Sequence, residues 1–207
     1  MSVYDHYILP TLIDVACGAR PVTKQRAKVV PAAEGRVIEI GMGSGLNLAQ
    51  YDPEKVREVI GVDPAGELLA KAKKRASNLP FPVRMEALDG ESLPFEDASA
   101  DSVVVTYALC TIPDPARALS EMRRVLKPGG RLLFAEHGAA PDAAVAQWQG
   151  RLERWFWPKI SGGCHLTRRP DLMIPEAGFR LESLETMYLP KTPRALGFNY
   201  WGTATPL

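Results

Sequence analysis

The sequence has few cysteines and no excess of charge of either sign. Its 207 residues include three cysteines, Cys17, Cys110 and Cys164, and its formal net charge is +1. Cysteines so few and so widely spaced indicate neither a disulfide framework nor a zinc site, and they fit a reducing compartment. An almost neutral chain lacks the basic surface of a nucleic-acid-binding protein, so we expect no nucleic acid among its partners.

Long apolar runs are also absent. No run approaches the roughly 20 residues that a transmembrane helix needs, and the first ten residues lack the basic segment of a signal peptide. We therefore expect a cytoplasmic protein. Its length fits one domain with a sizeable core, in which we predict an N-terminal helical segment over residues 1–34 and an inserted helical lid over residues 141–178.

What the sequence does have is an alternation of short apolar runs with amphipathic stretches, which is typical of a parallel α/β sheet. The predicted strands are Val37–Ile40, Val59–Val62, Val83–Ala87, Ser102–Tyr107, Arg131–Ala135, Phe179–Tyr188 and Leu196–Thr203. The predicted helices are Ala65–Asn78, Pro115–Leu126, Ala143–Trp157 and Pro170–Ala177. The segment Lys127–Gly130 contains Pro and two Gly, so it should end a helix and redirect the chain.

Three glycines at alternate positions follow the first predicted strand. Gly41, Gly43 and Gly45 leave room for a ligand to approach the backbone N–H groups, because they carry no Cβ. The dinucleotide fingerprint G-x-G-x-x-G would need its third glycine at position 46, which is Leu46. The turn therefore disfavours an NAD-dependent oxidoreductase and leaves the ligand open.

Polar residues follow several other predicted strands, where ligands bind in open α/β sheets. Asp63 ends the second strand and precedes Pro64. Its carboxylate suits the two hydroxyls of a ribose, and the alternative is that it caps the next helix. Tyr107 and His137 end the fourth and fifth predicted strands, so we expect them at the same edge of the sheet.

The order of three motifs resembles the class I S-adenosylmethionine (SAM) dependent methyltransferases. They are E-x-G-x-G-x-G at residues 39–45, Asp63, and the segment Asp89–Phe95, which is similar to D-A-E-x-L-P-F with Gly90 in place of alanine. The resemblance implies a Rossmann-like fold with a seven-stranded, mostly parallel sheet, helices on both faces and an antiparallel last strand. It also implies SAM as methyl donor, S-adenosylhomocysteine as product and a small-molecule acceptor.

The resemblance implies which residues bind the donor, and it implies no metal. Asp63 would bind the ribose, while Asp89 and the backbone of Gly90 would bind the adenine. The full predicted set is Glu39, Gly41, Met42, Gly43, Gly45, Asn47, Asp63, Pro64, Asp89, Gly90 and Tyr107.

The methionine part of the donor would lie beside Met42, Gly43 and Asn47. Glu39 would either balance the donor's positive charge or order the glycine turn, and both roles stay open. Arg26 precedes the first strand by one predicted helix. We expect its guanidinium to be solvated, with a contact to the donor's carboxylate as the alternative.

The carboxyl-terminal third is similar to the alkyl-thiol S-methyltransferases and the phospholipid N-methyltransferase-like proteins. The similarity rests on Glu136-His137, Gly163–Arg168 and Glu176–Phe179. It implies a small apolar acceptor, with a thiol favoured; a quinone or lipid acceptor and a SAM-binding module without turnover are the alternatives. His137 is the predicted catalytic residue, or else a buried histidine that fixes its loop, and we expect Cys110 and Cys164 to be packing residues.

Three of the four tryptophans fall within residues 148–157. Trp148, Leu152, Trp155 and Phe156 have helical spacing and share a face. We expect this face to be a lid over the acceptor that is also part of the core, and peripheral contact with a membrane is the alternative. The segment Tyr4–Tyr7 is expected either to fold over the cofactor or to precede a surface helix.

Overall fold

The computed structural model describes residues 9–207, so the segment Tyr4–Tyr7 lies outside the described residues. The strands are β1 (Gly35–Ile40), β2 (Val56–Val62), β3 (Val83–Glu86), β4 (Ala100–Thr106), β5 (Leu126–His137), β6 (Phe179–Tyr188) and β7 (Phe198–Pro206). The α-helices are α1 (Leu9–Cys17), α2 (Arg20–Val29), α3 (Gly66–Ala76), α4 (Pro115–Val125), α5 (Ala143–Trp155), α6 (Trp157–Ile160), α7 (Pro170–Glu176) and α8 (Arg194–Gly197).

The strands form one seven-stranded sheet in the order β3-β2-β1-β4-β5-β7-β6. Strands β1 to β5 pair in parallel, and β7 runs antiparallel between β5 and β6. The predicted seven-stranded fold with an antiparallel last strand is therefore confirmed. The main difference in boundaries is at β5, which begins at Leu126 and so includes the predicted turn Lys127–Gly130.

Both faces of the central strands β1, β4 and β5 are buried, because these strands are apolar at most positions, whereas the edge strand β6 is mostly exposed. Along β1, Val37 packs in one core cluster and Ile38 in the other, as the alternation of strand side chains requires. Leu119 of α4 joins the Ile38 cluster, while Val29 of α2 and Ala72 of α3 join the Val37 cluster. Because helices cover both faces of the central strands, ligands can reach these strands only at their ends.

The prediction that this face of α5 belongs to the core is wrong for its aromatic residues, although Leu152 on the same face packs against a small core cluster. Trp148 and Trp155 are 55% and 67% exposed, whereas Gln149 between them is 1% exposed. The Gln149 amide accepts a hydrogen bond from the Ala140 N–H at 2.8 Å and donates to two backbone carbonyl oxygens. Because a buried amide must be paired, these bonds fix the rotation of the helix and turn the tryptophans outward. Within residues 9–207, no helix combines the length and apolar character needed to cross a bilayer.

A close contact joins the middle of β2 to the glycine turn. Gly61 pairs with Glu39 on β1, and a Cβ added at Gly61 would lie 2.1 Å from the Sδ atom of Met42. Met42 is itself buried. The missing side chain at Gly61 is therefore the space that Met42 fills.

We expect Gly61→Ala to lower the free energy of unfolding by about 1–3 kcal/mol, because the new methyl group overpacks the site of Met42. The matched control is Gly66→Ala, since nothing lies within 4 Å of a Cβ at Gly66; it should be neutral or stabilising by up to about 1 kcal/mol. Urea denaturation of both variants measures the difference. Equal stability of the two variants would contradict this account of the contact.

Candidate active site

Two cavities open side by side at the carboxyl ends of the parallel strands. The glycine-turn cavity has a volume of about 520 Å³ and is lined by the turn after β1 and by the ends of β2 and β4. The cysteine cavity has a volume of about 420 Å³ and contains Cys110 and Cys164. The residues that line both cavities are Ile13, Cys17, Tyr107 and Thr111.

Seven of the eleven residues predicted to bind the donor line the glycine-turn cavity. They are Gly41, Met42, Gly43, Asp63, Pro64, Asp89 and Tyr107. The other four, Glu39, Gly45, Asn47 and Gly90, are buried and do not line it. Their role in direct binding of the methyl donor stays a prediction.

The glycine turn is fixed against the end of β2. The N–H groups of Gly41 and Met42 both donate to the carbonyl oxygen of Val62, at 2.8 and 3.2 Å. Gly41 has a φ of +71°, and a Cβ there would lie 2.3 Å from the Cβ of Ala108. Glycine is therefore required at position 41 by both conformation and space.

Asp63 connects this turn to the next helix. Its Oδ2 accepts a hydrogen bond from the Gly43 N–H and its Oδ1 from the Ala65 N–H, each at 2.8 Å. The alternative role as helix cap is wrong, because Ala65 occupies the N-cap position of α3. Burial raises the pKa of Asp63, while its two backbone donors hold the carboxylate at the wall of the cavity.

Asp89 is exposed at the rim of the same cavity. Its Oδ1 accepts a hydrogen bond from the Glu91 N–H at 2.9 Å, which orders the turn. Gly90 adopts a φ of +79°, a conformation that side chains rarely tolerate. Glycine thus replaces the family's alanine at a position where the backbone beside Asp89 is left-handed.

Glu39 and Asn47 form a buried network beneath the cavity. The Asn47 amide donates to Glu39 Oε1 at 3.0 Å, and the Tyr51 hydroxyl donates to Glu39 Oε2 at 2.7 Å. Asn47 also donates to the Thr106 hydroxyl at 2.9 Å. Of the two roles left open for Glu39, these contacts favour ordering of the turn. Burial raises the pKa of Glu39 to about 7, although Tyr51 and Arg26 oppose this shift.

Arg26 is 5% exposed, so the expectation of a solvated side chain is wrong. Its guanidinium donates to Asn47 Oδ1 at 3.1 Å and to the Thr106 hydroxyl, and it lies over the Tyr107 ring at 5.0 Å. The helix α2 carries it inward because Val29 on the same helix packs in the core. Arg26 lines the glycine-turn cavity, and among the described residues its Nε atom has no hydrogen-bond partner.

Asp14 is a site residue that the sequence did not reveal. It lies on α1, where its carboxylate binds the Ser44 hydroxyl and Lys71 and lies 3.5 Å from Arg75. These contacts attach α1 to the glycine turn and to α3, so α1 forms one wall of both cavities. An acid on an amphipathic helix usually indicates only a solvated face, and no local pattern distinguishes Asp14.

Tyr107 separates the two cavities. It is one of the few residues other than glycine with a positive φ, at +56°. Its hydroxyl donates to Asn199 Oδ1 at 2.6 Å and its N–H to the carbonyl oxygen of Ala135 at 2.9 Å. Strained backbone of this kind persists only where several contacts hold it, and it is frequent at functional sites.

The cysteine cavity brings together two loop residues and the last residue of β5. His137 Nε2 lies 3.2 Å from Cys164 Sγ, and the Trp157 indole N–H donates to the same sulfur at 3.3 Å. The reactive atoms of Cys110, His137 and Cys164 all lie within 4.8 Å of one another. His137 is therefore beside Cys164 rather than in the glycine-turn cavity. The two cysteines lie close together, which their spacing in the sequence did not predict.

The surroundings of this cluster stabilise charge on one sulfur. A hydrogen bond with Cys110 and the neighbouring His137 lower the pKa of Cys164, and the contact with Cys164 raises the pKa of Cys110. Although burial opposes it, the contact with Cys164 raises the pKa of His137. Burial also raises the pKa of Glu136 to about 7.

Glu136 and Arg168 fix the loops that carry the cluster. Glu136 Oε1 accepts hydrogen bonds from the Ala108 and Leu109 N–H groups at 2.9 and 3.1 Å. Arg168 donates to the carbonyl oxygens of Leu109 and Ile112. The loop after β4 is therefore held from both sides, which sets the position of its cysteine.

The matching family, two similar relatives and one similar solved structure are all methyltransferases. A family described as "Methyltransferase domain" matches residues 38–134. The chain is 34% identical over 171 residues to the thiol S-methyltransferase TMT1B of Rattus norvegicus, a match that covers 79% of this chain and 70% of that protein. It is 35% identical over 159 residues to the phosphatidylethanolamine N-methyltransferase of Cereibacter sphaeroides, covering 74% and 77%. A SAM-dependent methyltransferase structure from Methanosarcina mazei matches with a TM-score of 0.66 at 21% identity, covering 84% of this chain and 93% of that one.

The buried carboxylate of Glu39 should make stability depend on pH. Because burial raises its pKa from 4.5 to about 7, the folded chain holds a proton between these values that the unfolded chain has lost. The free energy of unfolding should therefore fall as pH rises through this window, by about 3 kcal/mol for this one group, and level off above pH 7.

We expect Glu39→Gln to remove that part of the decline, which urea denaturation at several values between pH 5 and pH 8 would measure. Glu54→Gln, at an exposed position, is the control and should follow the wild type. An unchanged slope in Glu39→Gln would show that Glu39 does not titrate in this range.

Proposed function

The chain belongs to the SAM-dependent methyltransferases, and from that membership we propose that it methylates a small apolar thiol. The observation that carries the proposal is the junction of the two cavities at Tyr107, with His137 and two cysteines in the second cavity. The likeness to a thiol S-methyltransferase at 34% identity supports it. An apolar acceptor suits the cysteine cavity, because residues such as Leu12, Leu166 and Leu196 line it.

The residues of the glycine-turn cavity fit the methyl donor. Among residues 9–207, apart from the two chain neighbours of Gly43, no atom lies closer than 3.9 Å to a Cβ built on that residue, so a ligand has room beside the backbone there. The unpartnered Nε of Arg26 is a buried donor suited to a carboxylate. We assign Arg26 to the methionine carboxylate, Asp63 to the ribose hydroxyls and Asp89 to the adenine amino group.

When bound, SAM supplies a methyl group activated by a sulfonium. The task of the chain is to align an acceptor behind that group and to exclude water, and positioning of this kind can lower a barrier by about 7–11 kcal/mol. Tyr107 and Thr111 border both cavities and would set the approach. A thiol needs little further activation, because a few per cent is thiolate at neutral pH. We place His137 at the acceptor atom as the catalytic residue.

A lipid amine is the second candidate acceptor. The observation that favours it is the exposed aromatic face of α5, where Trp148 and Trp155 lie beside Arg151 and Arg154. Such a face suits the interface of a membrane, and one relative at 35% identity is a phosphatidylethanolamine N-methyltransferase. Peripheral contact with a membrane is part of this second candidate.

The assignment of Asp63 predicts the effect of removing its carboxylate on donor binding. We expect Asp63→Ala to bind S-adenosylhomocysteine about 10- to 100-fold more weakly, because charge-assisted hydrogen bonds to the ligand are lost. Isothermal titration calorimetry measures this. Asp97→Ala changes an acid whose side chain is 80% exposed and should bind like the wild type. Equal affinities in all three proteins would overturn the assignment.

The choice of acceptor can be tested with substrates of matched shape. With radiolabelled SAM, we expect an alkanethiol to be methylated at least about tenfold faster than the primary amine of the same chain length, because an alkylamine is almost fully protonated at neutral pH. Vesicles containing phosphatidylethanolamine form the third arm. Methylation of the vesicles alone would reject the thiol and favour the lipid candidate.

A further inference from the structure

The three residues at the floor of the cysteine cavity have the composition of a metal site. Cys110, His137 and Cys164 offer two sulfurs and one imidazole nitrogen, all within 4.8 Å of one another. Sulfur and imidazole ligands in this combination are typical of zinc. Three ligands bound to one tetrahedral zinc ion lie about 3.6–3.8 Å apart, so the cluster needs only small shifts to close around an ion.

We propose that Cys110, His137 and Cys164 bind one zinc ion whose remaining coordination position faces the acceptor. Zinc sites with three protein ligands keep a fourth position for water or substrate, whereas structural sites have four. Among residues 9–207, no fourth His, Cys, Asp or Glu joins this group. All three ligands line the cysteine cavity, so a small molecule in that cavity can reach the ion.

The loops around the cluster are fixed before any ion binds. The His165 N–H donates to the carbonyl oxygen of Cys110 at 2.8 Å, which joins the loop of Cys164 directly to the loop of Cys110. The side chain of His165 is directed elsewhere, to Glu153 at 2.9 Å. Metal sites depend on such outer contacts, because these contacts orient the ligands. The third ligand, His137, is the last residue of β5 and is fixed by the sheet.

The environment of the sulfurs suits a metal thiolate. Cys110 and Cys164 form a small core cluster with Leu166, against which Leu152 and Leu196 pack. Charged ligands in such apolar surroundings are costly unless a cation neutralises them. The Trp157 indole N–H, which donates to Cys164 Sγ at 3.3 Å, is a donor of the kind that supports a coordinated sulfur.

A zinc ion here would act on the acceptor proposed above, and this part of the inference rests on that proposed function. An acceptor thiol would bind the ion as a thiolate and release its proton to solvent. Its sulfur would form a bond to the methyl carbon as the bond between that carbon and the sulfonium of SAM breaks, which would leave a neutral thioether and neutral S-adenosylhomocysteine. The thioether product has no proton to lose and no negative charge, so it is the weaker ligand and would leave. His137 would then act on the acceptor sulfur through the ion.

Metal content tests the site independently of any acceptor. The full chain, purified in reducing buffer after growth with added zinc, should contain about one zinc ion per chain by elemental analysis. Cys110→Ser, Cys164→Ser and His137→Gln should each lose most of it. Cys17→Ser and His165→Asn are matched controls that remove a thiol or an imidazole outside the cluster, and both should keep the zinc.

Two further measurements separate the outcomes. Calorimetry with S-adenosylhomocysteine reports whether each variant is folded, and cobalt(II) added to the metal-free wild type should give thiolate-to-metal charge-transfer absorption and tetrahedral d–d bands. Addition of an alkanethiol should change the d–d bands. A folded wild type without zinc or cobalt bands, or with Cys110 and Cys164 joined as a disulfide, would overturn the site. If the protein binds zinc but methylates no thiol, the proposed function is rejected and the zinc site is supported. If zinc-free protein methylates a thiol, the zinc site is rejected and the proposed function is supported.

Discussion

The buried carboxylate of Glu39 is the constraint on which the glycine-turn cavity depends. A carboxylate removed from water must be paired, and Tyr51 and Asn47 supply its donors. Asn47 also binds Arg26 and Thr106. The end of β4, helix α2 and the residues on both sides of the glycine turn are thereby joined in one hydrogen-bonded network.

A second constraint links the glycine-turn cavity to the cysteine cavity. Tyr107 keeps a left-handed backbone conformation at the boundary between the two cavities, held by Asn199 and Ala135. Its ring also lies beneath the guanidinium of Arg26. The network around Glu39 therefore reaches the boundary of the cysteine cavity, and the proposed transfer between two bound molecules would benefit from such a fixed relation.

The parts of the site that the sequence predicted are those encoded by a local pattern. Gly41 and Asp63 follow apolar strands directly, and parallel strands end at one edge of the sheet, so their neighbourhood follows from topology. Arg26 was misjudged because arginine is usually solvated, and Trp148 was misjudged because its helical spacing does not show which face of α5 is buried. Periodicity identifies the faces of a helix, but the rotation that decides which face is buried is set by single contacts, such as those of Gln149.

By itself the sequence determined the family, the sheet with its antiparallel last strand, and the glycine turn at the end of β1. These features follow from short-range patterns of apolar residues and glycine. Only the tertiary structure decided that Cys110, His137 and Cys164 meet. Each lies in a different loop or strand end, and their approach depends on the packing of the inserted helices against the sheet. Spacing along a chain does not predict such contacts, because the distance between loops is set by the fold.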